Sequence, residues 1–211
     1  MNSTGTPTLP TQDGVNGPFI VLEGVSGIGK TTLATALRDR LSATTLHTLP
    51  APHDSWSVTV HTALRPLPQF AFYLSGLLHA SDLIRQARAL GPVVADRYVS
   101  SMTACLATVH RVPVETVAER LLPFREYLVE PTRTFYLTCT EEKLRERLTT
   151  KQDTKADDHE LLAVPGRLTS LMKNFERVAA QDTSAVYLDT SEATPNDLAD
   201  NIISHLEPPR A

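Results

Sequence analysis

The clearest chemistry in the sequence lies in a glycine-rich segment at residues 24–32. Its first eight residues, GVSGIGKT, satisfy the pattern G-x-x-x-x-G-K-[ST] at every defined position. Glycines allow a tight loop whose backbone N–H groups point at phosphate oxygens, and the start of the following helix adds its positive dipole end. Lys30 would place its ammonium group at the β- and γ-phosphates, and the Thr31 hydroxyl would hold Mg²⁺. The segment therefore predicts an ATP·Mg²⁺ site with contacts from Gly24, Val25, Ser26, Gly27, Ile28, Gly29, Lys30, Thr31 and Thr32.

A second candidate ligand is Asp96, which ends the apolar run PVVAD. Ligands of open parallel sheets bind outside the carboxyl ends of the strands. A carboxylate at that edge, facing the glycine-rich loop, would hold the Mg²⁺ shell directly or through water. The alternative is a strand-end Asp that caps the next helix.

Strands and helices must alternate if these groups are to meet. Short apolar runs predict strands at residues 19–24, 44–49, 92–96, 134–139 and 185–189. Helical spacing predicts helices at residues 30–41, 70–90 and 195–206, the second stopped by Gly91 and Pro92. This order predicts an α/β fold with a parallel sheet covered by helices on both faces.

Composition bounds the organisation and the partners. Residues 1–17 offer little to bury and predict a disordered leader before one domain at residues 18–211, in which residues 149–159 form a polar loop. A net charge of -4 and a pI near 6.0 predict neither a nucleic-acid nor a membrane partner. Cys105 and Cys139 lie in apolar surroundings without metal-ligand spacing, which predicts reduced core residues. With no spanning segment and no signal pattern, a cytoplasmic protein is expected.

With LEGVSGIGKTT at the first strand and DRYVSS after the third, the chain resembles the thymidylate kinase family. The resemblance runs from Phe19 to about Leu206, and YLTCTEEKLRERL is similar to the family's fourth strand and the helix that leads to its lid. It implies a P-loop kinase with a five-stranded parallel sheet and a mobile lid at about residues 149–160. It also implies ATP·Mg²⁺ as the phosphate donor, a small-molecule acceptor and a homodimer.

The resemblance assigns roles to further residues. Arg97 would contact the transferring phosphate or the acceptor's phosphate, and Arg147 would pack on the adenine. Phe72 falls where the family stacks the acceptor base. The family's lid often brings an Arg to the transferring phosphate, and here Lys151 or Lys155 would serve, without the bidentate fork of a guanidinium.

The acceptor side departs from the family's pattern. Gly76 stands where the motif F-x-x-x-R has the Arg that binds the acceptor's phosphate, and such a fork is among the stronger recognition contacts. Met102 stands where a polar residue contacts the thymine edge. Ser26 replaces a common acidic residue of the loop, and the family's E-P-G-G turn is missing.

At that turn the sequence is more similar to the related deoxynucleoside kinases. Their Glu-Pro followed by Trp resembles Ala51, Pro52 and Trp56, but Ala51 replaces the Glu that takes the proton from the sugar hydroxyl. His53 or Asp54 could act as the base instead, or could be a turn residue or a cap of the next helix.

The lid segment is acidic. Lys151 and Lys155 stand against Asp153, Asp157, Asp158 and Glu160, which leaves two negative charges that would either repel a phosphomonoester or lie solvated. Three functions stay open. They are a kinase acting on a hydroxyl of a nucleoside, sugar or aminated natural product; a dTMP kinase; and a nucleotide-binding regulator without turnover.

Overall fold

The computed structural model describes residues 16–151 and 156–206, and the side chains of residues 156 and 157 are outside this description. Residues 1–15 of the predicted leader and residues 152–155 of the predicted lid, with Lys155, lie outside it. The strands are β1 (Phe19–Glu23), β2 (Thr44–His47), β3 (Val93–Asp96), β4 (Arg133–Thr138) and β5 (Ala185–Asp189). The α-helices are α1 (Lys30–Leu41), α2 (His53–Ala63), α3 (Pro66–Arg88), α4 (Val99–His110), α5 (Val114–Leu121), α6 (Glu141–Thr150), α7 (Ala156–Ala163), α8 (Arg167–Ala179) and α9 (Pro195–Ser204), and a 3₁₀ helix spans Leu122–Tyr127.

The five strands form one parallel sheet in the order β2-β3-β1-β4-β5. The predicted α/β fold with a five-stranded parallel sheet is confirmed. Because β1 is central, the loop that follows it opens at the middle of the carboxyl edge. Asp96 ends the neighbouring strand β3 and is in register with Leu22 of β1.

Side chains of β1 alternate between two cores, as the pleat of a strand requires. Ile20 and Leu22 belong to the core cluster that also contains buried residues of α1, α8 and α9. Phe19 and Val21 belong to the cluster on the opposite face, which contains buried residues of α3, α4 and α5. Both faces are therefore covered, and a side chain at position 23 points to the same face as Phe19 and Val21.

Several element boundaries differ from the sequence prediction. The helix expected from residue 70 begins four residues earlier, at Pro66. Proline is tolerated in the first turn of a helix, where a backbone N–H would have no helical partner. Helices α2, α4, α5, α7 and α8 were not among the predicted helices, and α7 begins at Ala156, within residues 149–159 that were expected to form a polar loop. Helix α8 buries Leu168, Leu171 and Phe175 at helical spacing.

Two smaller expectations concern the chain's start and its cysteines. Gly17 is tied to the end of α3, since its N–H donates to Arg88 O and Arg88 Nε donates to its carbonyl, both at 2.9 Å. Cys105 and Cys139 carry reduced thiols and pack against the core. In the described residues, no helix combines the length and apolarity needed to cross a bilayer.

Candidate active site

The loop between β1 and α1 depends on glycines with positive φ. Gly24, Gly27 and Gly29 have φ values of 139°, 80° and 108°, a region that side chains disfavour. A Cβ on Gly24 would lie 2.9 Å from Leu137 O, so only glycine fits there without a shift of the backbone. Gly29 precedes α1 without a capping side chain, which leaves the first amides of the helix available to an anion.

Lys30 lies under this loop and is buried. Its Nζ donates hydrogen bonds to the carbonyls of Gly24 at 2.9 Å and Val25 at 2.8 Å. The pKa of Lys30 is lowered to about 7, chiefly by burial and then by the nearby Arg97, although Asp96 and Glu23 oppose the shift. An anion bound in the loop would favour the charged ammonium.

Thr31 and Asp96 form the second part of the site. Thr31 Oγ1 donates to Asp96 Oδ2 at 2.6 Å, which joins the start of α1 to the end of β3. The other carboxylate oxygen, Asp96 Oδ1, is buried and has no hydrogen-bond partner among the described residues. The Asp96 carboxylate, with its unpartnered Oδ1, and the Thr31 hydroxyl are hard oxygen ligands of the kind that Mg²⁺ prefers. The residues present therefore fit this ion.

Arg97 adopts a left-handed backbone conformation, with φ of 77°, that is uncommon for a residue with a side chain. Its N–H donates to Leu22 O at 3.0 Å, and Thr48 Oγ1 donates to its carbonyl. Its Nη1 donates to Gly24 O at 3.2 Å and to Ser101 Oγ at 3.1 Å. The guanidinium is therefore held beside the glycine-rich loop.

Glu23 is a candidate residue that the sequence prediction missed. It is 0% exposed, yet its carboxylate accepts hydrogen bonds from Tyr98 N at 2.8 Å, from Ser101 N at 3.1 Å and from Ser101 Oγ. Burial raises its pKa, while the Ser101 hydrogen bonds and Arg97 act in the opposite direction. The available signal was a charged residue at the end of the otherwise apolar run FIVLE.

On the other side of the loop, Arg147 borders a cavity of about 160 Å³. Its Nη1 donates to Thr190 Oγ1 at 2.9 Å and its Nη2 to Thr190 O at 2.6 Å. The cavity is also lined by the glycine-rich loop and by the start of α9. Its position and lining suit a planar group attached to phosphates in the loop.

The predicted acceptor residues on α2 and α3 form one cluster. His53 Nε2 lies 3.1 Å from Ser75 Oγ, and the His53 ring centroid lies 5.5 Å from that of Phe72 and 5.8 Å from that of His79. A Cβ on Gly76 would lie 2.5 Å from Leu49 Cδ2 and 3.4 Å from the His53 ring. The volume beside Gly76 is therefore already filled.

Two other predicted acceptor residues lie outside this cluster's contacts. Asp54 is exposed, and its Oδ1 accepts from Ser55 N at 2.8 Å. Met102 is 7% exposed and belongs to the core cluster that contains Phe70 and Leu74. The Met102 side chain thus packs in the core.

Two acids of the lid segment, Asp158 and Glu160, are paired. Lys151 Nζ donates to the buried Asp158 Oδ2 at 2.7 Å. Glu160 accepts from Arg167 Nη1, and its Oε2 lies 3.6 Å from His61 Nε2. Burial would raise the pKa of Glu160, but Arg167 and His61 hold it below its usual range. The Lys151–Asp158 pair was already part of the net charge counted for the lid, but Arg167 was not, so its contact with Glu160 reduces the expected repulsion by one negative charge.

Comparisons with known proteins agree with this fold. Residues 22–202 match the family described as thymidylate kinase. A probable thymidylate kinase from Natronomonas pharaonis is 31% identical over 169 residues, which cover 76% of this chain and 82% of the relative. Among solved structures, a thymidylate kinase from Candida albicans superposes with a TM-score of 0.71 at 16% identity, covering 90% of this chain and 91% of that chain. A deoxyadenosine kinase from M. mycoides, with dCMP and dCDP bound, has a TM-score of 0.66 at 19% identity and covers 89% and 98%.

Proposed function

Because the chain belongs to the thymidylate kinase family, we propose that it transfers the γ-phosphate of ATP to a hydroxyl group of an acceptor that carries no phosphate at the Gly76 position. The acceptor class is a nucleoside, a sugar or an aminated natural product. The observation that supports this proposal most directly is that Leu49 and His53 fill the space beside Gly76.

On the donor side, phosphotransfer needs positioning and charge neutralisation more than covalent chemistry. The amides of the glycine-rich loop and the start of α1 would bind the phosphates. Lys30 would turn from the carbonyls of Gly24 and Val25 to the β- and γ-phosphates, and Arg97 would contact the transferring phosphoryl group. Arg147 would pack on the adenine in the cavity beside Thr190.

Thr31 and Asp96 would hold Mg²⁺, which supplies positive charge to the phosphates when bound. The support is the buried Asp96 Oδ1 without a partner and the hydroxyl of Thr31 beside the same carboxylate. Lys151 is the candidate cation on the acceptor side of the transferring group, and it would have to leave Asp158 to act there.

The acceptor proposal also rests on where the other arginines of α3 are engaged. Arg85 donates to Asp82 and to Tyr127 O, and Arg88 donates to Gly17 O. These contacts hold both guanidinium groups near the C-terminal end of α3, away from Phe72 and Gly76. A hydrogen bond to a charged group contributes about 1.5 to 3 kcal/mol, so without this arginine dTMP should be at least about tenfold disfavoured.

His53 and Phe72 would form the wall that meets the acceptor. A tilted pair of rings offers an apolar face with a polar edge, which suits a nucleobase or a sugar ring rather than a dianion. Asp54 stays a candidate base. In a loose transition state, the base contributes less than the position of the attacking hydroxyl, so the replacement of Glu by Ala51 is compatible with turnover.

Two alternative functions can be distinguished from this proposal by experiment. A dTMP kinase is favoured by the 31% identity to a probable thymidylate kinase. A nucleotide-binding regulator would keep ATP affinity without transfer. Thr31 bonds Asp96, and Lys30 and Arg97 both donate to Gly24 O; the presence of these four residues around the loop favours an enzyme over the regulator.

The test is an ATP-consumption screen of purified protein with dTMP, nucleosides, sugars and aminated cyclic alcohols, with the Lys30→Ala variant as the control for contaminating activity. We expect turnover with a member of the uncharged or cationic panel and a lower kcat/KM for dTMP. A kcat/KM for dTMP of about 10⁴ M⁻¹s⁻¹ or more, in the usual enzyme range, would establish the dTMP alternative. ATP binding without turnover on any acceptor would establish the regulator.

We further propose a cytoplasmic homodimer. The support is apolar surface on α2 and α3, where Trp56, Val58 and Leu67 are 66%, 62% and 65% exposed. Light scattering coupled to size-exclusion chromatography would measure the mass, and a monomer at micromolar concentration would contradict the dimer.

A further inference from the structure

Glu23 is a fully buried carboxylate for which the donor chemistry so far has no use. It follows Phe19 and Val21 on the face of β1 that α4 covers, at the point where the strand enters the glycine-rich loop. A buried charge without partners is costly. Glu23 accepts three hydrogen bonds that offset this cost, and their donors show which parts of the site it stabilises.

Two of these bonds cap helix α4. Its N-cap residue, Tyr98, makes no side-chain cap of its own. The Glu23 carboxylate instead accepts from Tyr98 N at the N-cap and from Ser101 N at the third helical position. These are two of the amides that a helix start leaves without partners. The capping group therefore comes from a strand of the sheet rather than from the helix itself.

The third bond leads to Arg97. Ser101 Oγ donates to the Glu23 carboxylate and accepts from Arg97 Nη1 at 3.1 Å. Arg97 directly precedes the capped residue Tyr98 and holds the left-handed backbone conformation. The same carboxylate thus restrains the backbone on the C-terminal side of Arg97 and, through one hydroxyl, its guanidinium.

We infer that Glu23 is the positioning residue for Arg97: it holds this guanidinium beside the phosphate loop through Ser101 and through the start of α4. Glu23 itself touches no substrate. The inference rests on the role proposed above for Arg97.

The experiment is a double-mutant cycle with Glu23→Gln, Arg97→Ala and the combined variant. ATP turnover is measured without acceptor, with thymidine and with dTMP, and the fastest condition is used throughout; ATP affinity is measured by calorimetry. Arg97→Ala should lower kcat about 100-fold, in the range of a lost charge-stabilising group. Glu23→Gln should lower kcat about tenfold or more while the Kd for ATP stays within about threefold, and the combined variant should be no slower than Arg97→Ala, because groups that act as a unit are not additive.

Glu141→Gln is the matched control, because the Glu141 carboxylate also joins two elements, bonding Arg145 within α6 and Thr169 on α8. This control should lower Tm without changing kcat. Ser101→Ala removes the link to Arg97 and leaves both capping bonds in place. It should reproduce the kcat loss of Glu23→Gln, and it keeps the test decisive if Glu23→Gln does not fold.

Two outcomes distinguish a failure of the role proposed for Arg97 from a failure of the inference about Glu23. A normal kcat in Arg97→Ala would overturn the proposed role of Arg97 and the inference with it. A low kcat in Arg97→Ala, together with either a normal kcat in Ser101→Ala or a multiplicative loss in the combined variant, would overturn the role of Glu23 alone.

Discussion

The donor side and the acceptor side of the site are built in different ways. On the donor side, Lys30, Thr31, Asp96 and Arg97 are joined by hydrogen bonds across the two central strands β1 and β3. On the acceptor side, His53 and its neighbours lie on two helices and meet through ring packing, shared volume and the contact of His53 Nε2 with Ser75 Oγ.

This difference indicates that the acceptor side of such a site tolerates substitutions more readily than the donor side. Removing one member of a buried hydrogen-bonded set leaves its partners unsatisfied, at a cost of about 1 to 3 kcal/mol for each group. Exchanging side chains in the acceptor cluster breaks fewer bonds of this kind, such as the contact of His53 Nε2 with Ser75 Oγ. Every defined position of the phosphate-loop pattern is present in this chain, while Gly76 and the neighbouring His53 ring stand where the family has an arginine.

Lys30→Ala should have the largest effect, because it removes the charge that would neutralise the transferring phosphate. We expect kcat to fall by at least about 10²- to 10³-fold, with the fold retained. The measurement is turnover at saturating ATP, with circular dichroism as the check of folding. A rate within tenfold of the wild type would show that the donor side does not work as described.

Asp96→Asn should follow, with a loss of about 100-fold in kcat and a smaller effect on ATP affinity, because the amide keeps the shape but not the charge that would hold Mg²⁺. A titration with Mg²⁺ should move to higher concentrations of the ion. An unchanged Mg²⁺ dependence would place the ion elsewhere.

Gly76→Arg tests the acceptor side. Its Cβ would clash with Leu49 Cδ2, so we expect a loss of about 1 to 3 kcal/mol in the free energy of unfolding and no gain in kcat/KM for dTMP. The combined variant Leu49→Ala with Gly76→Arg removes the clashing atom and should recover stability and dTMP activity together.

Ala71→Arg is the control for this change, since it adds the same charge at an exposed position of α3. It should alter neither stability nor dTMP activity. A rise in dTMP activity from Gly76→Arg alone would mean that the cluster yields easily and that the volume argument fails.

His110 gives the smallest expected effect. Its Nε2 lies 2.7 Å from Gln69 Oε1, and Gln69 Nε2 donates to Leu64 O, at the C-cap of α2. Burial lowers the pKa of His110, and Arg120 and His61 lower it further. The unfolded chain therefore binds this proton more readily, so stability should fall as the pH drops below about 6.5, the usual histidine value, through the lowered pKa.

His110→Gln should remove this part of the acid sensitivity. Denaturant unfolding of both proteins between pH 7.5 and 5.5 measures it, and the stability difference between them should shrink as the pH falls. Parallel curves would contradict the assignment.

The sequence predicted what depends on local pattern. The bounds of α1 and β5 and the residues of the phosphate loop follow from spacing and glycine placement within a few positions. It also identified that Gly76 lacks the family's guanidinium. What fills that place depends on how α2 packs against α3, and no local pattern specifies this contact between residues far apart in the chain.

Other misses have the same origin. Glu23 was included in an apolar strand, because its partners Tyr98 and Ser101 come from a helix more than 70 residues later. Glu160 was counted as a free lid charge, because its partners Arg167 and the distant His61 lie outside the segment that was counted.

The central place of β1 also affects when the site can exist during synthesis. Leu22 pairs with Asp96 on one side and with Phe135 on the other, and Phe19 N donates to the Thr132 hydroxyl 113 residues later. Parallel partners are never sequence neighbours, and such long-range pairings form late. During synthesis, the phosphate-loop segment is therefore present well before the strands that shape it. We expect nucleotide to bind only after the sheet has formed.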